Sequence, residues 1–117
     1  MASGSERSGL GGDPSELGRR LIAKYKNHIP VIATTTRLLN TALTKSRFMC
    51  PRNYTVGQFQ AKLRNHLPGI GPEVGVFLVF GNTTVCAAAT RMEQVYSENH
   101  GSDLFLHCTV TGENTFG

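Results

Sequence analysis

The sequence predicts an α+β domain: a four-stranded sheet with one long helix packed across it and a further helix ahead of it. Three observations carry that expectation. A β-branched run at Ile29 to Thr36 and an alternating run at Leu104 to Val110 read as strands. Between them, Thr55 and Gln58 form a capping box in front of Val56, Phe59, Leu63 and Leu67, which share one helical face. At 117 residues the chain is one domain's worth.

Residues 1–13 are dominated by Gly and Ser and read as a flexible tail. Asp13 can then cap a helix, with Pro14 suited to its first position and Glu16 three residues after the cap. Leu17, Leu21 and Tyr25 recur at fourfold spacing, with Arg19, Arg20 and Lys24 elsewhere around the helix. The strand at 29–36 carries Pro30 near its start. A second strand runs from Arg47 to Cys50 and stops at Pro51, after a link, 37–46, of open shape. Pro68-Gly69 ends the central helix. The nearly continuous apolar run Val74 to Phe80 predicts a strand at the sheet's centre, buried on both faces. Thr90 and Glu93 suggest a second capping box, opening a short helix through Tyr96, and Asn99 to Asp103 a turn. In the last strand, Leu104, Leu106, Cys108 and Val110 face the core; Phe105, His107 and Thr109 face the other way. The domain is expected over 14–110, followed by a flexible tail over 111–117.

Several function classes find no support. The charge is +4, with 12 Lys plus Arg against 8 Asp plus Glu, and the basic residues are dispersed. Such a mild excess steers toward acidic peptides or headgroups but demands no nucleic acid, and none is expected as a partner. Three cysteines without a CxxC pair argue against a disulfide framework and a structural zinc site. His107 and Cys108 are adjacent on a strand and point to opposite faces. The glycines of Gly69-Ile70-Gly71-Pro72 follow a helix and lack a phosphate-binding order. No catalytic residue, metal ligand or cofactor site emerges, so a non-enzyme is expected. There is no apolar run of membrane-spanning length.

The end of the chain is distinctive. A polar stretch, Thr111-Gly112-Glu113-Asn114-Thr115, leads to Phe116 and Gly117. A glycine carboxylate has no Cβ beside it, so a thiol and then an amine can approach its carbonyl with little hindrance. GENTFG at this end, TVGQF at 55–59, KY at 24–25 with IPVI at 29–32, and Pro51 shortly before TVGQF resemble the autophagy-related protein 8 family of ubiquitin-like modifiers. The resemblance spans about residues 14–117.

It implies a ubiquitin-like β-grasp fold, a four-stranded mixed sheet with a covering helix and an extra N-terminal helix. It also implies a chemistry: a processing and delipidating cysteine protease exposes the glycine, and activating and conjugating enzymes carry it as a thioester. Gly117 is then joined covalently to phosphatidylethanolamine, with Phe116 in the conjugation tail. The protein would be cytoplasmic, and on the autophagosome membrane when lipidated. The resemblance further implies capture of cargo receptors bearing an aromatic-x-x-aliphatic motif, added as a strand at the sheet edge. Leu21, Pro30, Ile32, Arg47, Met49 and Phe105 would line the aromatic pocket. Phe48, Cys50, Pro51, Tyr54, Phe59 and Leu63 would line the aliphatic one. The alternative is a non-conjugated β-grasp adaptor using the same edge.

Overall fold

The structure, a computed structural model, describes residues 14–39, 41–71, 73–81 and 85–112. The proposed cap Asp13, the N-terminal tail and the residues 113–117 that include Phe116 and Gly117 lie outside them. In chain order the elements are α1 (Pro14–Lys24), β1 (His28–Thr35), a 3-10 turn (Arg37–Leu39), β2 (Arg47–Pro51), α2 (Val56–Arg64), β3 (Phe77–Phe80), α3 (Met92–Asn99) and β4 (Leu106–Thr111).

The four strands form one mixed sheet in the order β2-β1-β4-β3. β1 pairs with β2 antiparallel, from His28 opposite Pro51 to Ile32 opposite Arg47. The central pair, β1 and β4, is parallel, from Val31 opposite Leu106 to Thr35 opposite Val110. β3 joins β4 antiparallel. The mixed sheet with its covering helix agrees with the β-grasp expectation.

α2 forms where its sequence says. The Thr55 hydroxyl accepts from the Gln58 backbone N–H at 3.2 Å, and the Gln58 side chain accepts from the Thr55 N–H at 2.8 Å. Two donors that a helix start leaves without partners are thereby satisfied. Val56, Phe59 and Leu63 are buried against Ile29, Val31, Phe48, Cys50, Leu106, Cys108 and Val110. The Phe48 and Phe59 rings meet edge to face at 5.9 Å. Turns after Arg64 end the helix earlier than Leu67, though Leu67 still reaches the core.

Three expectations need correction. The apolar run at 74–80 is not the sheet's centre: only Phe77–Phe80 is strand, and it lies at an edge with Phe77 exposed. Its first part is drawn out of the sheet by α2, whose Arg64 guanidinium donates to the carbonyls of Val74 and Gly71 and whose Gln60 amide donates to that of Val76. Those acceptors are met by side chains rather than by a neighbouring strand. The Thr90 capping box does not form: α3 begins after Arg91, with no side-chain cap bond. Instead the Thr90 carbonyl accepts from Val56 N–H, and Met92 N–H donates to the Tyr54 carbonyl. The last strand starts at Leu106, because Leu104 turns the chain with φ of 68°.

Candidate functional site

The edge strand β2 alternates in burial. Phe48 and Cys50 point into the core beneath α2, while Arg47, Met49 and Pro51 lie on the opposite face. α1 crosses that opposite face. Its Leu17 and Leu21 and, just past its end, Tyr25 stand one turn apart and, with Arg47, Phe48, Met49 and Phe105, line an apolar hollow of about 340 Å3. Lys24 Nζ sits 5.3 Å from the Tyr25 ring and Lys45 Nζ 5.1 Å from the Phe48 ring. With Arg47 exposed, the surroundings of the hollow are cationic.

Phe105 reaches this hollow through a turn built for it. Asp103 Oδ1 accepts from the Phe105 N–H at 3.0 Å, and Asp103 Oδ2 lies 2.8 Å from His107 Nε2. Gly101 N–H donates to the Phe105 carbonyl and Leu104 N–H to the Gly101 carbonyl. The Tyr96 hydroxyl donates to the Leu104 carbonyl at 2.7 Å. Burial pushes the Asp103 carboxyl up, but the Phe105 N–H and His107 outweigh it and hold the carboxyl below its ordinary value. α1 lies flush on this turn at Gly18. A Cβ there would stand 2.4 Å from the Asp103 carbonyl oxygen and 2.9 Å from Leu104 Cβ.

Of the residues expected around an aromatic anchor, Leu21, Arg47, Met49 and Phe105 converge on the hollow. Pro30 and Ile32 pair with Met49 and Arg47 across the strands, and Pro30 is fully buried. Leu17 and Tyr25 line the hollow too and were not expected there. Their fourfold spacing with Leu21 is the sequence signal that could have found them. Of the second set, Cys50, Phe59 and Leu63 are enclosed in the core, Phe48 is a wall shared with the hollow, and Pro51 and Tyr54 are half-buried, Tyr54 packed against the core. Burial pushes the Cys50 thiol up to about 12, an effect that the Lys62 charge only partly opposes. Burial pushes Cys108 up as well. Neither thiol is poised as a nucleophile.

The arrangement is therefore an edge strand with an apolar hollow beside it and positive charge around it. Comparison with known proteins places the architecture. The model of the family "Autophagy protein Atg8 ubiquitin like" matches residues 15–117. The chain belongs to the Atg8 family. Among its relatives, autophagy-related protein 8 of Dictyostelium discoideum is 33% identical over 103 residues, covering 87% of this chain and 84% of that one. Autophagy-related protein 8 of Candida glabrata is 37% identical over 99 residues, 84% of this chain and 82% of its own. The crystal structure of Trypanosoma brucei ATG8 superposes with a TM-score of 0.77 at 27% identity, covering 89% of each chain. The Atg8-family protein described here is thus a ubiquitin-like autophagy protein. No helix among its described residues is long and apolar enough to cross a membrane.

Proposed function

We propose that this Atg8-family protein is conjugated through Gly117 to phosphatidylethanolamine and, at the β2 edge, captures partners that carry an aromatic-x-x-aliphatic motif. The observation that carries the docking half is the hollow walled by Leu17, Leu21, Tyr25, Met49 and Phe105 beside a strand that pairs on one side only among the described residues. An added peptide strand would place its aromatic side chain there, and the cationic surroundings favour acidic residues near it. The second anchor would meet the strand further along, beside the half-buried Pro51 and Tyr54.

The conjugation half rests on family membership, on the matched segment running to Gly117, and on the chemistry of a glycine carboxylate once it is exposed. The Gly117 carbonyl is held as a thioester on an enzyme cysteine. The lipid amine attacks that carbon, the C–S bond breaks, the thiol is released, and an amide forms. The chain is substrate and product in these steps, not catalyst. Its partners are the activating and conjugating enzymes and the cysteine protease that exposes the glycine or releases the lipid. Two acyl chains then give the firm membrane hold that one chain does not. The protein would pass from the cytoplasm to the autophagosome membrane.

Intact-mass measurement of the membrane-bound cellular form tests this. The expected mass is that of a chain ending at Gly117 plus the phospholipid minus one water, absent in Gly117→Ala. A membrane pool of unmodified mass, or a chain that keeps its membrane pool without Phe116 and Gly117, overturns conjugation and leaves a docking adaptor.

A further inference from the structure

At the far end of β2 the surface changes character. Arg52, Thr90, Arg91, Gln94 and Ser97 line an open polar hollow of about 540 Å3, with Glu93 the one acidic group in its wall. Two guanidiniums share that single carboxylate. Arg52 Nε lies 3.8 Å from Glu93 Oε1, and Arg91 Nη1 lies 3.6 Å from Glu93 Oε2. Both separations exceed those of charge-assisted hydrogen bonds, about 2.7–2.9 Å. One carboxylate cannot saturate the N–H donors of two guanidiniums. Both arginine side chains are substantially exposed, at 41% and 64%. The hollow therefore carries a net positive charge and donors still open to a second acceptor.

Its position is fixed relative to the edge strand. Arg52 follows Pro51 directly, and its N–H donates to the Asn27 carbonyl at 2.9 Å. A backbone bridge pairs Thr55 with Arg91, and Met92 N–H holds the Tyr54 carbonyl at 2.8 Å. The hollow and the proposed second anchor thus share one rigid frame. Along β2 the aromatic position lies at the Arg47 end and the aliphatic position at the Pro51 end. A motif with its aromatic residue first then runs in the same direction as β2. An extended chain advances about 3.3 Å per residue. The first few residues after the aliphatic anchor come level with Arg52 and Arg91.

We infer that Arg52 and Arg91 receive acidic residues lying C-terminal to the docked motif, so that the chain selects partners by charge on that flank as well as by the two anchors. This rests on the docking reading above. The planar guanidinium fork matches a carboxylate in a bidentate fashion, and a glutamate or aspartate would take the acceptor place that Glu93 fills loosely.

The test uses two synthetic peptides with the same Trp-x-x-Leu core, followed by three Glu or three Gln, titrated against the 117-residue chain at low salt. The Glu peptide should bind at least about threefold tighter, as expected for a few exposed ion pairs, and the advantage should shrink as salt rises. In Arg52→Gln/Arg91→Gln the ratio between the peptides should fall to about one. In Glu93→Gln it should rise, an outcome that no loss of folding can imitate. A ratio near one in the unmodified chain, or an unchanged ratio in the double variant, overturns the inference and leaves edge docking standing. Failure of the unmodified chain to bind either peptide overturns the docking reading, and the inference with it.

Discussion

The two faces of the sheet are each crossed by a helix of about three turns, yet they are covered to different ends. α2 sends Val56, Phe59 and Leu63 into a closed core, with Phe59 and Leu63 wholly buried. α1 rests on the turn at 103–104 through a glycine and leaves a hollow of about 340 Å3 beside Met49 and Phe105. One face is packed for stability; the other is held apart by contact at one end and stays open at the other. A dense interior gains from every methylene it encloses, whereas a docking surface needs walls that are fixed but unfilled. Phe48 sits between the two faces, against Phe59 on one side and lining the hollow on the other.

The sharpest way to break this comparison is to truncate one phenylalanine on each face. Phe59→Ala leaves a sealed void and should cost about 3–5 kcal/mol in urea unfolding. Phe105→Ala opens into an existing hollow with less sealed volume, so its cost should be smaller. Its effect on an aromatic-anchored peptide should be large, about tenfold or more in Kd. Equal losses of stability for the two variants would mean that the α1 face is core as well. Unchanged peptide affinity in Phe105→Ala, with the fold intact, would remove the hollow from the binding surface.

Gly18→Ala sharpens the comparison at the point where α1 touches down. Alanine favours a helix over glycine by about 0.5–1 kcal/mol. The new Cβ, however, would stand 2.4 Å from a backbone carbonyl oxygen, and backbone does not yield as a flexible side chain does. Overpacking of that kind costs about 1–3 kcal/mol, so the net change should be destabilising. α1 should lift from the turn, and affinity for the aromatic anchor should change while amide-exchange protection in α2 stays as it was. A gain in stability would show that α1 is free to shift at no cost.

How much of this was legible in the sequence follows from how local each cause is. The α2 cap and its apolar period lie within nine residues, and they read through directly. So does the β1 run. The edge position of β3 was not legible, because centre and edge differ only in which strands come alongside, and the run at 74–80 is apolar either way. The loss of Val74 and Val76 from that strand depends on Arg64 and Gln60, residues on another element. The turn at Leu104 was hidden inside a clean alternation, since leucine gives no sign of a positive φ. The walls of the hollow were half legible. The Leu17-Leu21-Tyr25 stripe marks an apolar helical face, but nothing in its spacing tells a filled interface from an open one. Arg52 is remote in sequence from Arg91 and Glu93, and they meet through the backbone contacts that join Thr55 to Arg91 and Tyr54 to Met92.

The finest difference between the faces is electrostatic, and it lies in Asp103. The core face is held by apolar contact, which titrates little. The turn beneath α1 is held partly by a carboxylate whose proton affinity is lowered by the Phe105 N–H and His107. A carboxyl with a depressed folded-state value stabilises the fold above its unfolded value, ordinarily near 3.8, and that stabilisation is lost as pH falls through the folded value. Asp103→Asn keeps an oxygen able to accept the Phe105 N–H and removes the charge. The stability gap between the original chain and this variant should close as the solution is acidified below about pH 4. Urea unfolding across that range, with peptide affinity measured at its upper end, separates the outcomes. A gap that persists at the acid end would place the role of Asp103 in shape rather than charge. A gap that closes, accompanied by weaker binding of the aromatic anchor at neutral pH, ties the charge in the turn to the wall that Phe105 gives the hollow.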